Sequence, residues 1–229
     1  MSTASSHAPH EYHHAHHFPS ARAEAEASKL GMWIFLATEI LLFSGLFCAY
    51  ACYRYTHAEM FKTAHQFLDW KLGAVNTMVL IFSSLTMALA VRASQLSKRT
   101  QTIGFLLVTL LCGGAFLVVK YFEYSHKIHM GTLPQEYWNL NTEHFPETLK
   151  LKAIENQSPW IFFGIYFLMT GLHGLHVVIG MAAISWVLVR SIRGDFSSKY
   201  YFPVELVGLY WHLVDLIWIY LFPLLYLVG

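Results

Sequence analysis

Charged residues are scarce in this chain. Asp, Glu, Lys and Arg make up 13% of its 229 residues, and the formal net charge is only +1. Proteins that bind nucleic acid carry a concentrated basic face, so this balance gives no reason to expect that class of partner. Hydrophobic residues instead account for 55% of the chain and aromatic residues for 16%, with a mean hydropathy of +0.42. The composition therefore indicates a membrane protein.

Cysteine is also rare, with three residues, Cys48, Cys52 and Cys112. Each lies within an apolar stretch, where a thiol packs as a small hydrophobic group and cannot easily meet an oxidant. We therefore expect neither a disulfide nor a thiolate metal site.

Long apolar runs dominate the rest of the chain. Five of them are found, at residues 30–53, 72–91, 102–124, 159–189 and 203–228. Each is long enough to cross the hydrocarbon core of a bilayer as a helix, and the fourth must tilt or extend beyond it. The sequence predicts an all-α, polytopic membrane protein, a bundle of five transmembrane helices formed by residues 29–229.

Basic residues in the short loops predict the orientation. They follow the second and fourth runs, as Arg92, Lys98, Arg99, Arg190, Arg193 and Lys199. The positive-inside rule places these loops and the N-terminus in the cytoplasm, and five spans then put the C-terminus in the periplasm. Basic residues between positions 54 and 71, in the first external loop, oppose this orientation.

A histidine tract precedes the first run. The stretch "HAPHEYHHAHHFPS" holds six of the fourteen histidines and shows no apolar periodicity. We expect residues 1–28 to form a disordered cytoplasmic tail that ends in a short surface helix after the N-cap candidate Ser20. Binding of zinc or copper by the tract stays open.

Ionisable residues inside the spans are the candidate functional residues. Glu39, in "WIFLATEILLFSG", has apolar neighbours for a full turn on both sides. An acid in such a span is costly when it faces lipid, and it is by default a functional candidate. His212 and Asp215, one turn apart in the last span, enter from the same side to a comparable depth. His212 is therefore a candidate partner for Glu39, with Asp215 holding the imidazole.

The fourth span carries a histidine pair. "MTGLHGLHVVIG" places His173 and His176 on one face at i, i+3. Gly171, Gly174 and Gly180 are expected to let a neighbouring helix approach closely. Replacing Gly174 with leucine should then disturb assembly more than truncating His176.

Lys120 and Glu123 lie near the outer end of the third span, where a lysine can snorkel and a glutamate can reach water. Every one of these polar residues also has a purely structural interpretation, because a hydrogen bond between helices contributes ~0.6 to 2 kcal/mol in a membrane. That interpretation is favoured for His173, His176, His212 and Asp215. For Glu39 both interpretations stay open.

Three functional classes fit a five-span protein with such residues. A dihaem cytochrome needs axial histidines that face each other from different helices, which the spacing of His173 and His176 does not favour. A secondary transporter is expected to show internal repeats or broken helices, and the odd number of spans, the lack of a repeat and the one late proline, Pro223, speak against it. An accessory subunit of a redox complex explains polar residues used for packing without a complete metal site.

Four stretches resemble subunit III of the haem-copper oxidases: "GMWIFLATEILLFSGLFCAY", "NTMVLIFSSLTMALA", "GLHGLHVVIG" and "YWHLVDLIWIYLFPLLYLVG". The resemblance covers residues 29–229, and the short, five-helix bacterial form is the one it fits. It implies a non-catalytic subunit of a proton-pumping cytochrome c oxidase of aerobic respiration, in the bacterial inner membrane. Such a chain lies against subunit I, with subunit II as a further partner, and supports proton uptake. Haem and copper are expected in the partner subunits and none in this chain.

The resemblance also assigns residues by motif position. Glu39 matches the family's buried glutamate, Glu123 the acid of a "YFE"-like stretch, and His173, His176, His212 and Asp215 its other intramembrane polar positions. The long form has two further N-terminal helices that complete a cleft for phospholipids. Bound phospholipid is compatible with this chain, but the resemblance does not carry that cleft over intact. A quinol oxidase and a nitric oxide reductase are the alternative complexes, and membership of a respiratory supercomplex stays open.

Overall fold

A computed structural model of the chain describes residues 19–129, 160–198 and 200–227. Within these ranges the chain is helical and has no β-strand, and five helices are long and apolar enough to cross a membrane. The predicted all-α fold of five transmembrane helices is confirmed. The histidine tract at residues 7–17 lies outside the described residues, and the prediction of a disordered tail stays a prediction.

The helices are named in chain order: α1 (Ala21–Thr56), α2 (Ala58–Ala64), α3 (Trp70–Gln95), α4 (Arg99–His129), α5 (Trp160–Arg193) and α6 (Phe202–Phe222). A 3₁₀ turn, His65–Phe67, follows α2, and a π-helical turn, Pro223–Leu227, continues α6. Helices α1, α3 and α4 extend past the apolar runs at both ends, because polar residues continue a helix once it leaves the hydrocarbon core.

The N-terminal end of α1 replaces the predicted surface helix. Ser20 is the N-cap, and its Oγ accepts a hydrogen bond from the backbone N–H of Ala23 at 3.2 Å. The helix then runs without a break for 36 residues, about 54 Å at 1.5 Å per residue. The surface helix is therefore the first part of α1 and not a separate element.

Helices α3 to α6 form the body of the bundle. Helix α3 packs on α4, α4 on α5, and both α3 and α5 pack on α6, while α1 lies outside against α5 and α6. In the most apolar stretch of the last span, which includes α6, half of the residues are buried inside the bundle. In the corresponding stretch of α1, 11% are buried. The indole rings of Trp211 and Trp218 on α6 are fully buried and fill the centre.

One glycine of the α5 motif makes the predicted close contact, and two do not. A Cβ at Gly180 would lie 2.8 Å from the ring of Trp211, whereas a Cβ at Gly174 would meet nothing within 4 Å and one at Gly171 only the Tyr124 hydroxyl at 3.8 Å. The prediction of close packing at Gly171 and Gly174 is wrong. At about 100° per residue, Gly180 lies on the opposite side of the helix from Gly171, and only that side faces the core.

Candidate functional site

Glu39 on α1 pairs with His176 on α5. The His176 Nε2 and Glu39 Oε2 atoms are 2.7 Å apart, and His176 Nδ1 is 2.8 Å from the carbonyl oxygen of Leu172. A carbonyl oxygen only accepts, so Nδ1 carries a hydrogen and donates it. One further proton then lies between Nε2 and Oε2, as an imidazolium facing a carboxylate or an imidazole facing a carboxylic acid. The pair is neutral overall in both cases.

This pair connects a weakly buried helix to the bundle. The Glu39 and His176 side chains are 16% and 10% exposed, and the edge of the Phe43 ring shields the imidazole at 5.2 Å between centroids. Polar contacts on either side of the pair also hold α1, Lys29 with Glu205 at 2.8 Å and the Tyr50 hydroxyl with the Leu224 carbonyl at 2.6 Å.

His212 is not the partner of Glu39, which corrects the sequence-based prediction. Its Nδ1 lies 2.7 Å from the Ser84 hydroxyl on α3, and its side chain is half-buried. Equal depth along two helices does not fix the direction in which each side chain points, and Glu39 points at α5 while His212 points toward α3.

Asp215 does not hold the imidazole of His212 either. Its Oδ2 is 3.4 Å from the Ser83 hydroxyl, and its Oδ1 has no hydrogen-bond partner among the described residues. The Trp211 indole N–H also donates to the Ser83 hydroxyl, at 3.1 Å. Asp215 therefore lies in the buried interior of the contact between α3 and α6. His212 lies at the outer edge of the same contact.

A buried charge cluster surrounds Glu123. Its Oε2 accepts from Lys120 Nζ at 2.8 Å, and its Oε1 accepts from Lys127 Nζ at 2.7 Å, Tyr166 at 2.9 Å and Tyr226 at 2.5 Å. The carboxylate is 6% exposed and Lys120 is 8% exposed. The expectation that Lys120 snorkels and Glu123 reaches water is wrong, because both side chains point into the bundle.

Aromatic rings supplement the Glu123 carboxylate in this cluster. Lys120 Nζ lies 4.4 Å from the centroid of the Trp218 ring, and Lys127 Nζ lies 3.8 Å from the centroid of the Tyr166 ring. The negative faces of the rings stabilise these two ammonium groups. Sequence reasoning missed Lys127, Tyr166 and Tyr226. The spacing of Lys120, Glu123 and Lys127 at i, i+3 and i+7 on one helix face is the signal that identifies Lys127.

His173 belongs to the aromatic core rather than to the Glu39–His176 pair. Its ring lies 5.5 Å from that of Phe116 and 5.2 Å from that of Trp218, and it is fully buried. Within the described part of the chain neither of its ring nitrogens has a hydrogen-bond partner. The two histidines of "GLHGLH" therefore have different surroundings.

The described ranges contain no group of three or more His, Cys, Asp or Glu side chains that could hold a metal ion. The polar clusters are instead pairs and networks of side chains from different helices. Such an arrangement can fasten helices together and hold or exchange a proton at the Glu39–His176 pair.

Comparisons with known proteins find similarity to oxidase subunits III, and the similar relatives cover most of the chain. The family model for cytochrome c oxidase subunit III matches residues 153–229. A "probable quinol oxidase subunit 3" of Staphylococcus haemolyticus is 27% identical over 210 residues, which cover 90% of this chain and 91% of that protein. A protein of the same name from Staphylococcus aureus strain USA300 is 26% identical over 95% of this chain and 96% of its own length. "Heme-copper oxidase subunit I+III" of Aeropyrum pernix is 30% identical over 86% of this chain, which spans 22% of that longer protein.

Proposed function

We propose that this chain, which belongs to the haem-copper oxidase subunit III family, lies against subunit I of a respiratory cytochrome c oxidase and supports its turnover without catalysing a step itself. The chain is subunit III of a haem-copper oxidase. The Aeropyrum pernix relative is the strongest support for this proposal, because its name places subunits I and III in one polypeptide. Contact between a separate subunit III and subunit I follows naturally from that arrangement.

The polar clusters support an accessory role. Glu123 is bound by two lysines and two tyrosines of its own subunit, and Glu39 is bound by His176. Side chains that satisfy one another in this way hold helices in register. We assign Glu123 to the stability of the bundle through these bonds, and His173 and Asp215 to its packed interior. Glu39 and His176 could in addition exchange their shared proton, in keeping with support of proton uptake by subunit I.

Two electron donors are candidates for the complex. Cytochrome c is favoured, and the description of the matching family supports it. A quinol is the second candidate, because the Staphylococcus relatives are named as quinol oxidase subunits. The donor binds elsewhere in such a complex, so the polar residues of this chain do not discriminate between the two.

The proposed location is the bacterial inner membrane, with the N-terminus in the cytoplasm and the C-terminus in the periplasm. The five long apolar helices support a multi-pass membrane protein. The Arg and Lys residues around the α3–α4 turn and around the C-terminal end of α5 support the orientation. Subunit II is a further proposed partner, along with membrane lipids.

Oxygen uptake by the complex purified through this chain tests the proposed function. We expect uptake with reduced cytochrome c that requires the haem-containing partners. Uptake with a quinol but not with cytochrome c would show that the donor is a quinol. The assignment of the chain as subunit III of the oxidase would then stand. A purified chain that carries no oxidase partner and supports uptake with neither donor would contradict the proposal.

A further inference from the structure

We propose that the surface around His212 is where this chain contacts subunit I. This His212 face consists of Ile81, Ser84 and Leu85 on α3 and His212, Leu216 and Ile219 on α6. The inference rests on the proposed function, since it names the place at which the proposed partner binds.

The depth of His212 is the first observation. It lies about 15 Å along the helix axis from Phe202 and about 22 Å from Leu227 at 1.5 Å per residue. Both ends of this span are therefore farther away than a histidine side chain can reach. Because His212 is only half-buried, its ring borders whatever surrounds the bundle at the level of the hydrocarbon core.

The hydrogen bonding of His212 is the second observation. Its Nδ1 pairs with the Ser84 hydroxyl at 2.7 Å, while the described residues supply no partner for Nε2. A neutral imidazole has one donor and one acceptor nitrogen, so Nε2 needs a partner of its own. Hydrocarbon offers none, and ionisable residues in spans accordingly face protein or a water-filled cavity.

Exposed hydroxyl groups on α1 and α5 do not need a hydrogen-bond partner from another protein. On α1, the Thr38 hydroxyl donates to the Phe35 carbonyl and the Ser44 hydroxyl to the Ile40 carbonyl, both at 2.7 Å. On α5, the Ser185 hydroxyl donates to the Met181 carbonyl at 2.7 Å. Each of these groups is satisfied by its own helix and can face lipid, which sets His212 apart.

The surroundings of His212 suit a helix of another protein. Leu85, Leu216, Ile81 and Ile219 are each about half exposed, at 56%, 51%, 46% and 44%, and they add apolar surface on the two helices that carry His212 and Ser84. A transmembrane helix laid along this face would bury that surface and could place a hydroxyl, amide or carbonyl against Nε2. A lipid head group cannot supply the partner, since it lies at the membrane surface.

Subunit I is the occupant that the comparisons favour. The Aeropyrum pernix protein, whose name joins subunits I and III, is similar to this chain over 86% of its length. By that name, the two subunits are parts of one polypeptide in that protein. A second copy of this chain is the competing occupant, and the experiment separates the two.

Site-specific photocrosslinking in the intact complex tests the inference. A benzophenone amino acid is introduced at Leu216 on the His212 face and, in a matched variant, at Leu111 on α4, which is 72% exposed and is not part of the His212 face. After irradiation, cross-linked chains are identified by mass spectrometry. We expect cross-links from Leu216 to subunit I in several-fold excess over those from Leu111.

Each result has a defined meaning. Cross-links from Leu216 to a second copy of this chain, or cross-links to subunit I that are no more frequent from Leu216 than from Leu111, would overturn the inference. In either case co-purification with a haem-containing subunit would leave the proposed function intact. Failure to co-purify would instead contradict the proposed function itself.

A variant of His212 gives an independent readout. Replacing His212 with leucine keeps the apolar bulk but removes both the bond to Ser84 and the hydrogen bond that we assign to subunit I. We expect this variant to dissociate from subunit I at a several-fold lower detergent concentration, while Thr38→Ala, which changes only a bond within α1, leaves dissociation unchanged. Equal dissociation of both variants and the wild type would contradict the assignment.

Discussion

At the scale of single residues, neighbouring atoms determine what each polar group can do. Glu39 faces one imidazole with which it shares a proton, whereas Glu123 accepts hydrogen bonds from two ammonium groups and two phenols. Both are acids in apolar helices, and the sequence identified both. Their difference depends on residues far away in the chain, His176, Tyr166 and Tyr226, which no local pattern connects to them.

A hydrophobic carbodiimide should therefore label Glu39 in preference to Glu123. Carbodiimides react with protonated carboxyl groups, and the proton shared with His176 can reside on Glu39, while Glu123 faces two lysines. Mass spectrometry of labelled membranes checks this, with Glu39→Gln as the control that abolishes the label. Labelling of Glu123 alone would mean that the shared proton stays on His176.

The two histidines of α5 should respond differently to replacement by phenylalanine. His173 lies between aromatic rings with no described hydrogen bond, so His173→Phe should leave the unfolding temperature of the complex unchanged or raise it. His176→Phe removes the partner of a poorly exposed carboxyl and should destabilise the protein by about 1–3 kcal/mol. A larger loss at His173 than at His176 in thermal melts would show that His173 has a polar partner and contradict its purely aromatic surroundings.

At the scale of helices, hydropathy predicted all five spans because each crosses about 30 Å of hydrocarbon and needs about 20 apolar residues to do so. It could not predict which side of each helix faces the core. An apolar helix in a membrane has apolar residues toward both lipid and protein, so amphipathic periodicity is weak. The mistaken assignments of Gly174 and of His212 as the partner of Glu39 share this cause.

Gly180 should accordingly be the sensitive glycine of α5. A side chain there would collide with the Trp211 ring, whereas the Gly174 position is open. We expect Gly180→Leu to cost about 1–3 kcal/mol through overpacking and to lower the yield of assembled complex. Gly174→Leu, the matched control, should assemble like the wild type. Equal yields from both variants would contradict the described contact between α5 and α6.

The C-terminal π-helical turn should depend on one hydroxyl group. Tyr226 donates to Glu123 at 2.5 Å and accepts from Lys120 at 2.8 Å, which fastens the end of α6 to α4. Tyr226→Phe should lower stability by about 1–3 kcal/mol. Tyr220→Phe removes the same group from a side chain that is 64% exposed and should have little effect. The comparison is made by thermal unfolding of the purified complex.

At the scale of the whole molecule, α1 differs from the other four spans. It lies outside the bundle and is held by the Lys29–Glu205, Glu39–His176 and Tyr50–Leu224 contacts. The sequence could predict that the chain is a membrane bundle and which family it resembles, because long motifs and hydropathy are local properties. It could not predict the outer position of α1 or the partners of its polar residues, which depend on packing between distant segments.

The central claim is that this chain is a subunit without its own haem or copper in a haem-copper oxidase. The most direct test is to purify the tagged chain from native membranes and to measure haem and copper before and after detergent separates the subunits. We predict that haem and copper are found in the fraction with subunit I and that this chain, once separated, contains neither. Haem or copper retained in stoichiometric amount by the separated chain, or a purified chain that never carries an oxidase partner, would contradict the account.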